Sequence, residues 1–249
     1  MVHNPTFTIN PAKQNGARET LSVIGEYFTQ RFGKLAHPSV MLRNLRDYFG
    51  FGKRRAEPVG SRAELRRFLE TRASYVAQFS LYGYLRTRAG QRYPELFDDD
   101  VFVKSINIAK WHIWLACLSD LAVYSGGMLA RRMPGSADAA GALVRELVAE
   151  IIAAAGQPED ADDEFAAHAA RIQARLALCE WNRIADGEDC FSESPAALVR
   201  WAPIVDDLKT LDEPIVLNSV RFRWQEVRRH LRQFLDAEGV LGESAGHRP

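Results

Sequence analysis

The chain has 249 residues, 47% of them apolar and 26% charged, so it can bury a substantial core and has the charge content of an ordinary globular protein. Its 32 basic and 32 acidic residues cancel, which removes any global field that would draw in nucleic acid. Three scattered cysteines (Cys117, Cys179, Cys190) are too few for a disulfide framework, and no positive n-region with an apolar h-region opens the chain, so a cytoplasmic protein is expected.

The zero balance conceals an asymmetry. Residues 1–97 hold 16 Lys+Arg against 7 Asp+Glu, a net of +9; residues 134–213 hold 6 against 17, a net of −11. Two surfaces of opposite sign that partly face each other account for this. A basic N-terminal surface that meets an anionic membrane is the alternative, which would make the protein peripheral to the inner membrane face.

Residues 1–16 read as an irregular arm, with two prolines and a glycine. A helix is expected over Arg18–Phe32, with Gly33 as its stop. A second follows Pro38, where Met41, Leu42, Leu45, Tyr48 and Phe49 share one face at a 3.6-residue period. Lys53, Arg54 and Arg55 follow it. An amphipathic helix beside a basic cluster offers a surface for anionic lipid or a partner. Ser61-Arg-Ala-Glu64 is a capping box, in which the Ser hydroxyl accepts from the Glu64 amide and the Glu64 carboxylate reaches back to the Ser61 amide. The helix it opens runs to about Arg88, with Leu65, Phe68, Leu69, Val76, Phe79, Tyr82 and Leu85 in its apolar stripe. Asp98-Asp-Asp100 then caps the next helix, since carboxylates favour the positive end of the helix dipole.

The chain is organised around residues 101–130, its longest apolar stretch. Trp111–Ala130 is long enough to span a bilayer, but Asp120 at its middle costs about 2.5–3.5 kcal/mol in a membrane. A buried helix at the centre of the protein is the better reading. Met133-Pro-Gly-Ser136 breaks it. Further helices are expected from Ala137 to about Ala155, then across the acidic connector 156–163 to about residue 185. Another opens at Ser194-Pro195, read as N-cap and first-turn proline. A last helix runs from Pro214 to Gly239, with a disordered tail over 239–249. No segment alternates like a strand. The fold class is therefore all-α, a multi-helix bundle of about seven to nine helices, with residues 17–238 as one domain or two halves meeting near 133–137.

Candidate chemistry concentrates on the central helix. His112, Asp120 and Ser125 are candidate catalytic residues; Trp111, Trp114, Ser119 and Tyr124 are candidates for lining a ligand pocket. His112 and Asp120 are eight residues apart, roughly 12 Å along a helix, so a third group would have to bridge them. Tyr124-Ser-Gly-Gly127 could free amides for an oxyanion, but no G-x-S-x-G or strand supports a nucleophile elbow, and close helix packing or the fraying end of a helix explains the glycines better. Glu164 and His168 lie four residues apart, yet a di-iron bundle or zinc spacing is lacking, so neither a metal nor a cofactor is expected. Walker A and G-x-G-x-x-G patterns are missing too. Lys53, Arg54, Arg55, Arg221, Arg228 and Arg232 are the candidates for a partner or anion surface. No motif is specific enough to assign a family. These residues favour a non-catalytic adaptor or assembly factor with a protein partner. An esterase-like hydrolase with its pocket along the central helix is the alternative, and a carrier of a bulky apolar ligand the second.

Overall fold

The computed structural model describes residues 58–245, with side chains to residue 242. The expected arm, the helices over 18–32 and after Pro38, and the Lys53–Arg55 cluster lie outside the described residues. Among the described residues the fold is all-α: seven α-helices, three short 3-10 turns, and one isolated parallel bridge between Val59 and Leu235.

Helix α1 (Arg62–Ala89) opens as its capping box dictates. Ser61 Oγ accepts from the Glu64 N–H at 3.1 Å, but the Glu64 carboxylate takes the Gly60 N–H at 2.9 Å rather than that of Ser61. The Val59 backbone is tied to Phe234 and Asp236 by bonds of 3.0 and 2.9 Å, which presents Gly60 to the helix end. Gly90, at φ 57°, ends the helix in a conformation other residues rarely adopt. Two 3-10 turns (Gly90–Arg92 and Pro94–Asp98) lead to Asp99, whose carboxylate caps α2 through the Val101 and Phe102 amides.

Helix α2 (Asp100–Arg132) is the core of the molecule. Its 33 residues extend about 50 Å, and every residue from His112 to Ala130 is buried. It packs against α1, α3 (Ala137–Ala155), α4 (Glu164–Ala177) and α5 (Glu193–Trp201). By length and composition it is the one described helix that could cross a membrane, and its most apolar 18-residue window is wholly buried inside the protein.

Three boundaries differ from expectation, each for a tertiary reason. Helix α4 ends at Ala177 rather than near 185. The chain then turns through Trp181–Arg183 and drives the Trp181 indole between α2 and α3, where Gly126 and Gly141 leave room; a Cβ on either glycine would overlap the ring. Ile184 sits on Gly127 in the same way. Helix α6 (Asp206–Phe234) starts two turns before Pro214, which lies inside it. The proline leaves the Thr210 carbonyl without its usual donor, but both residues are exposed, where water can serve. Gly239 lies inside α7 (Ala237–Ala245) rather than ending a helix, so the expected disordered tail is helical to 245. The glycine is needed because the Gly60 carbonyl crosses where a Cβ would stand.

Candidate functional site

Three polar centres lie along α2, and each is occupied by a different part of the chain. The first is His112, fully buried. Its Nε2 is 2.8 Å from Asp162 Oδ1 and its Nδ1 is 2.9 Å from His168 Nδ1. Trp201 stacks on the ring at 3.7 Å between centroids, with planes 6° apart. Asp162 sits in the acidic connector and His168 one turn into α4, so two sequence neighbours close on the same imidazole. When the His112 ring is neutral, the carboxylate accepts from its Nε2–H and its Nδ1 accepts from the His168 Nδ1–H; when the ring is protonated, both of its nitrogens donate and His168 Nδ1 accepts. In the neutral arrangement His168 Nε2 keeps a lone pair on a half-buried ring. Burial, and then the positive potential of His112, Arg171 and Arg200, lowers the His168 pKa to about 4. Glu164 does not join His168: it lies 4.0 Å from Arg200.

The same connector grips the preceding residues. Asp160 accepts from the Trp111 indole N–H at 2.6 Å and from Lys110 at 2.8 Å. Trp111 meets Trp114 and Phe165 edge-on. Trp114 is buried, and its indole N–H has no acceptor among the described residues.

The second centre is Asp120, again fully buried. It is an N-terminal cap supplied from another helix. Oδ2 accepts from the Ser194 amide at 2.8 Å and its hydroxyl at 2.6 Å, and Oδ1 from the Glu193 amide at 3.2 Å. Arg175 pairs with Oδ1 at 2.9 Å and also donates to Ser119 Oγ at 2.7 Å. Trp224 donates to Ser194 Oγ at 3.0 Å. Ser194 is thus the second residue of α5 and not its N-cap; Ser192 holds that position without a side-chain bond. Burial pushes the Asp120 carboxyl up to about 6, against the pull of Arg175 and Ser194.

The third centre is Tyr124, whose hydroxyl donates to Asp186 at 2.8 Å. Burial, then this bond, pushes its pKa up to about 12. Arg228 lies over the ring and pairs with Asp186 and Glu188 at 3.7 and 3.5 Å. Arg228 is therefore a buried structural cation and not the surface residue expected. Arg232, 43% exposed, is tied to Asp186 at 3.5 Å, while Arg221 is exposed.

The expected trio of His112, Asp120 and Ser125 does not converge. Among the described residues none bridges His112 to Asp120, and Ser125 stands roughly 20 Å beyond His112 along the helix. Its hydroxyl is buried with no partner among the described residues. Gly126 and Gly127 serve Trp181 and Ile184. Arg175, Asp162, Trp201 and Asp186 complete the three centres and were not candidates from sequence. Only the acid-rich connector hinted at one of them, because the rest is long-range pairing.

Two surface features remain. An open groove of about 440 Å³ lies between α2 and the start of α6, lined by Ser105, Ile108, Trp201, Pro203, Ile204 and Lys209 among others. On the outer face of α6, Leu211, Ile215 and Phe222 are 72%, 72% and 71% exposed. They lie on one stripe, since residues three and four apart on a helix are neighbours. No protein-family model, no curated protein and no solved structure matches this chain.

Proposed function

We propose that this chain is a non-catalytic helical adaptor or assembly factor that binds a protein partner through the outer face of α6. The observation that carries it is the stripe of Leu211, Ile215 and Phe222, three large apolar side chains more than two-thirds exposed on a helix whose opposite face builds the core. Single exposed apolar residues are ordinary; an aligned set marks an interaction surface. The use of His112, Ser119 and Asp120 as internal hydrogen-bonding groups supports the same reading, because it leaves those side chains bound within the protein. A photo-crosslinking amino acid at Phe222 tests it in cells. A discrete adduct is expected with wild-type background residues, and its loss with Ile215→Glu. Absence of any adduct would sink the reading, and sedimentation with anionic vesicles in its place would move the surface to the membrane.

A second reading, the esterase-like hydrolase, is favoured by one observation. The chain Asp162–His112–His168 ends in a half-buried imidazole that can exchange a proton. Hydrolysis of p-nitrophenyl acetate by wild type and His168→Gln decides it: equal rates remove the histidine from any such chemistry.

A further inference from the structure

We propose that the partner of α6 is a second copy of the same chain, bound antiparallel along this helix. The inference deepens the adaptor reading and rests on it. Leu211, Ile215, Asn218, Phe222, Gln225 and Arg229 follow one another at spacings of four, three, four, three and four residues. This is the seam of a two-stranded coiled coil. Leu211, Ile215, Asn218, Phe222, Gln225 and Arg229 are all exposed in the folded protein.

The charge along the helix is what selects the occupant and its direction. The N-terminal end of the helix is acidic and exposed at Asp206 and Asp207; its C-terminal half is basic and exposed at Arg221 and Arg229. Asp207 and Arg229 each stand eleven residues from Asn218. An antiparallel pair with its two-fold axis at Asn218 therefore brings Asp207 of each copy level with Arg229 of the other. It also sets the two helix dipoles antiparallel. A parallel pair would oppose Asp207 to Asp207 and Arg229 to Arg229, with like charges at both ends. The six large apolar side chains of two copies then lie in the middle, between the two charged ends. Asn218 faces its own copy across the axis, where an amide pair fixes the register, as a lone buried Asn does in coiled coils. The interface is isologous and self-limiting, as two-fold pairs are. With a seam of about 33 Å between Asp207 and Arg229, it is short, and the dimer is a reversible one set by concentration.

The full chain is weighed by light scattering across a concentration series. A mass that rises from 28.0 kDa toward twice that value is expected. A monomer at every concentration up to about 1 mM would overturn the proposal. Ile215→Glu with Phe222→Glu should weaken the pair more than about tenfold, since both are central apolar anchors. All these positions are exposed, and an unchanged circular-dichroism melt confirms that the variants fold. Charge reversal tests the direction. Asp207→Arg or Arg229→Asp alone should weaken the dimer about three- to tenfold, and the two together should restore it, because each copy then carries the swapped pair. A double variant as weak as the singles overturns the antiparallel arrangement. Under a mild oxidant, Asn218→Cys should form a covalent dimer above the wild-type background. Asp207→Cys should not, as its two copies stand about 33 Å apart; the opposite result means a parallel pair. If the chain is monomeric but Phe222 still crosslinks to a different protein, the self-partner fails and the adaptor reading stands. A monomer with no adduct removes both.

Discussion

Asp120 shows how a residue that looks catalytic in sequence becomes structural once its partners are known. A carboxylate in an apolar helix invites a functional reading, because burying it without partners is costly. Here it receives four hydrogen bonds and caps a helix that begins more than seventy residues later. Asp120→Ala should therefore cost about 3–5 kcal/mol in urea unfolding, because Arg175 and two helix-end amides lose their acceptor together. Asp120→Asn should cost less, since its amide oxygen still accepts. Ser125 is the contrasting case. Its buried hydroxyl has no partner among the described residues, so Ser125→Ala should be neutral or stabilising by about 1 kcal/mol in the same assay. A clear loss of stability there would show that the hydroxyl has a partner after all.

Two of the perturbed groups on this axis, His168 and Asp120, pull stability in opposite directions with pH. His168 is lowered to about 4 in the folded protein from an ordinary value of 6.5. The unfolded chain therefore binds its proton first, and the stability His168 contributes is present above about pH 6.5 and lost as pH falls toward 4. Asp120 is raised from 3.8 to about 6, so its contribution is present at low pH and lost as pH rises through 6. Wild type alone would partly mask both. The stability of wild type relative to His168→Gln isolates the first: it should fall as pH is lowered from 6.5 to 4. Glutamine can donate to His112 or accept from it and carries no titrating proton. A flat difference would mean that His168 is not desolvated.

At the scale of elements, apolar periodicity and local chemistry were readable, and pairings across the chain were not. The Ser61–Glu64 box, the Asp99 cap, the break at 133–136 and the extent of α3 follow from residues within a few positions of one another. The end of α4 does not. It depends on Trp181 entering a cleft made by Gly126 and Gly141, residues far from it in the chain and separated from each other by the 133–136 break. Of the two readings of the Gly-Gly pair, close packing and a fraying helix end, the first holds, but nothing near it named the guest. The start of α5 was found for a different reason from the true one: Ser194 lies at its first turn, yet it bonds Asp120 rather than capping its own helix. Gly126→Ala should destabilise by at least about 2 kcal/mol through overpacking. Trp181→Ala should cost about 3–5 kcal/mol by leaving a cavity. Their double variant should cost clearly less than the sum, since the alanine methyl then occupies space the ring has left. Simple additivity would show that the ring does not depend on the glycine.

For the whole molecule, the charge asymmetry of the chain is partly resolved inside the fold. Basic α1 meets acidic neighbours: Arg62 pairs with Glu146 and Glu150 at 3.1 and 2.5 Å, and Arg88 with Asp212. The acidic connector closes over α2 through Asp160 and Asp162. These attachments are not equal in consequence. The α1–α2–α3 core is held by buried apolar side chains, whereas residues 156–163 contribute none that is fully buried and are held mainly by two carboxylates. The connector is therefore expected to open without the core. In Asp160→Asn with Asp162→Asn, the charged acceptors for Lys110, Trp111 and His112 are replaced by weaker ones. Hydrogen exchange should speed up over 157–163 and the first turn of α4, by about tenfold or more. Residues 113–130 of α2 should keep wild-type protection, because stability within a domain is graded by what each segment buries. Loss of protection along all of α2 would mean instead that the connector is part of the core, and that the polar face of the central helix, not its apolar one, sets the stability of the fold.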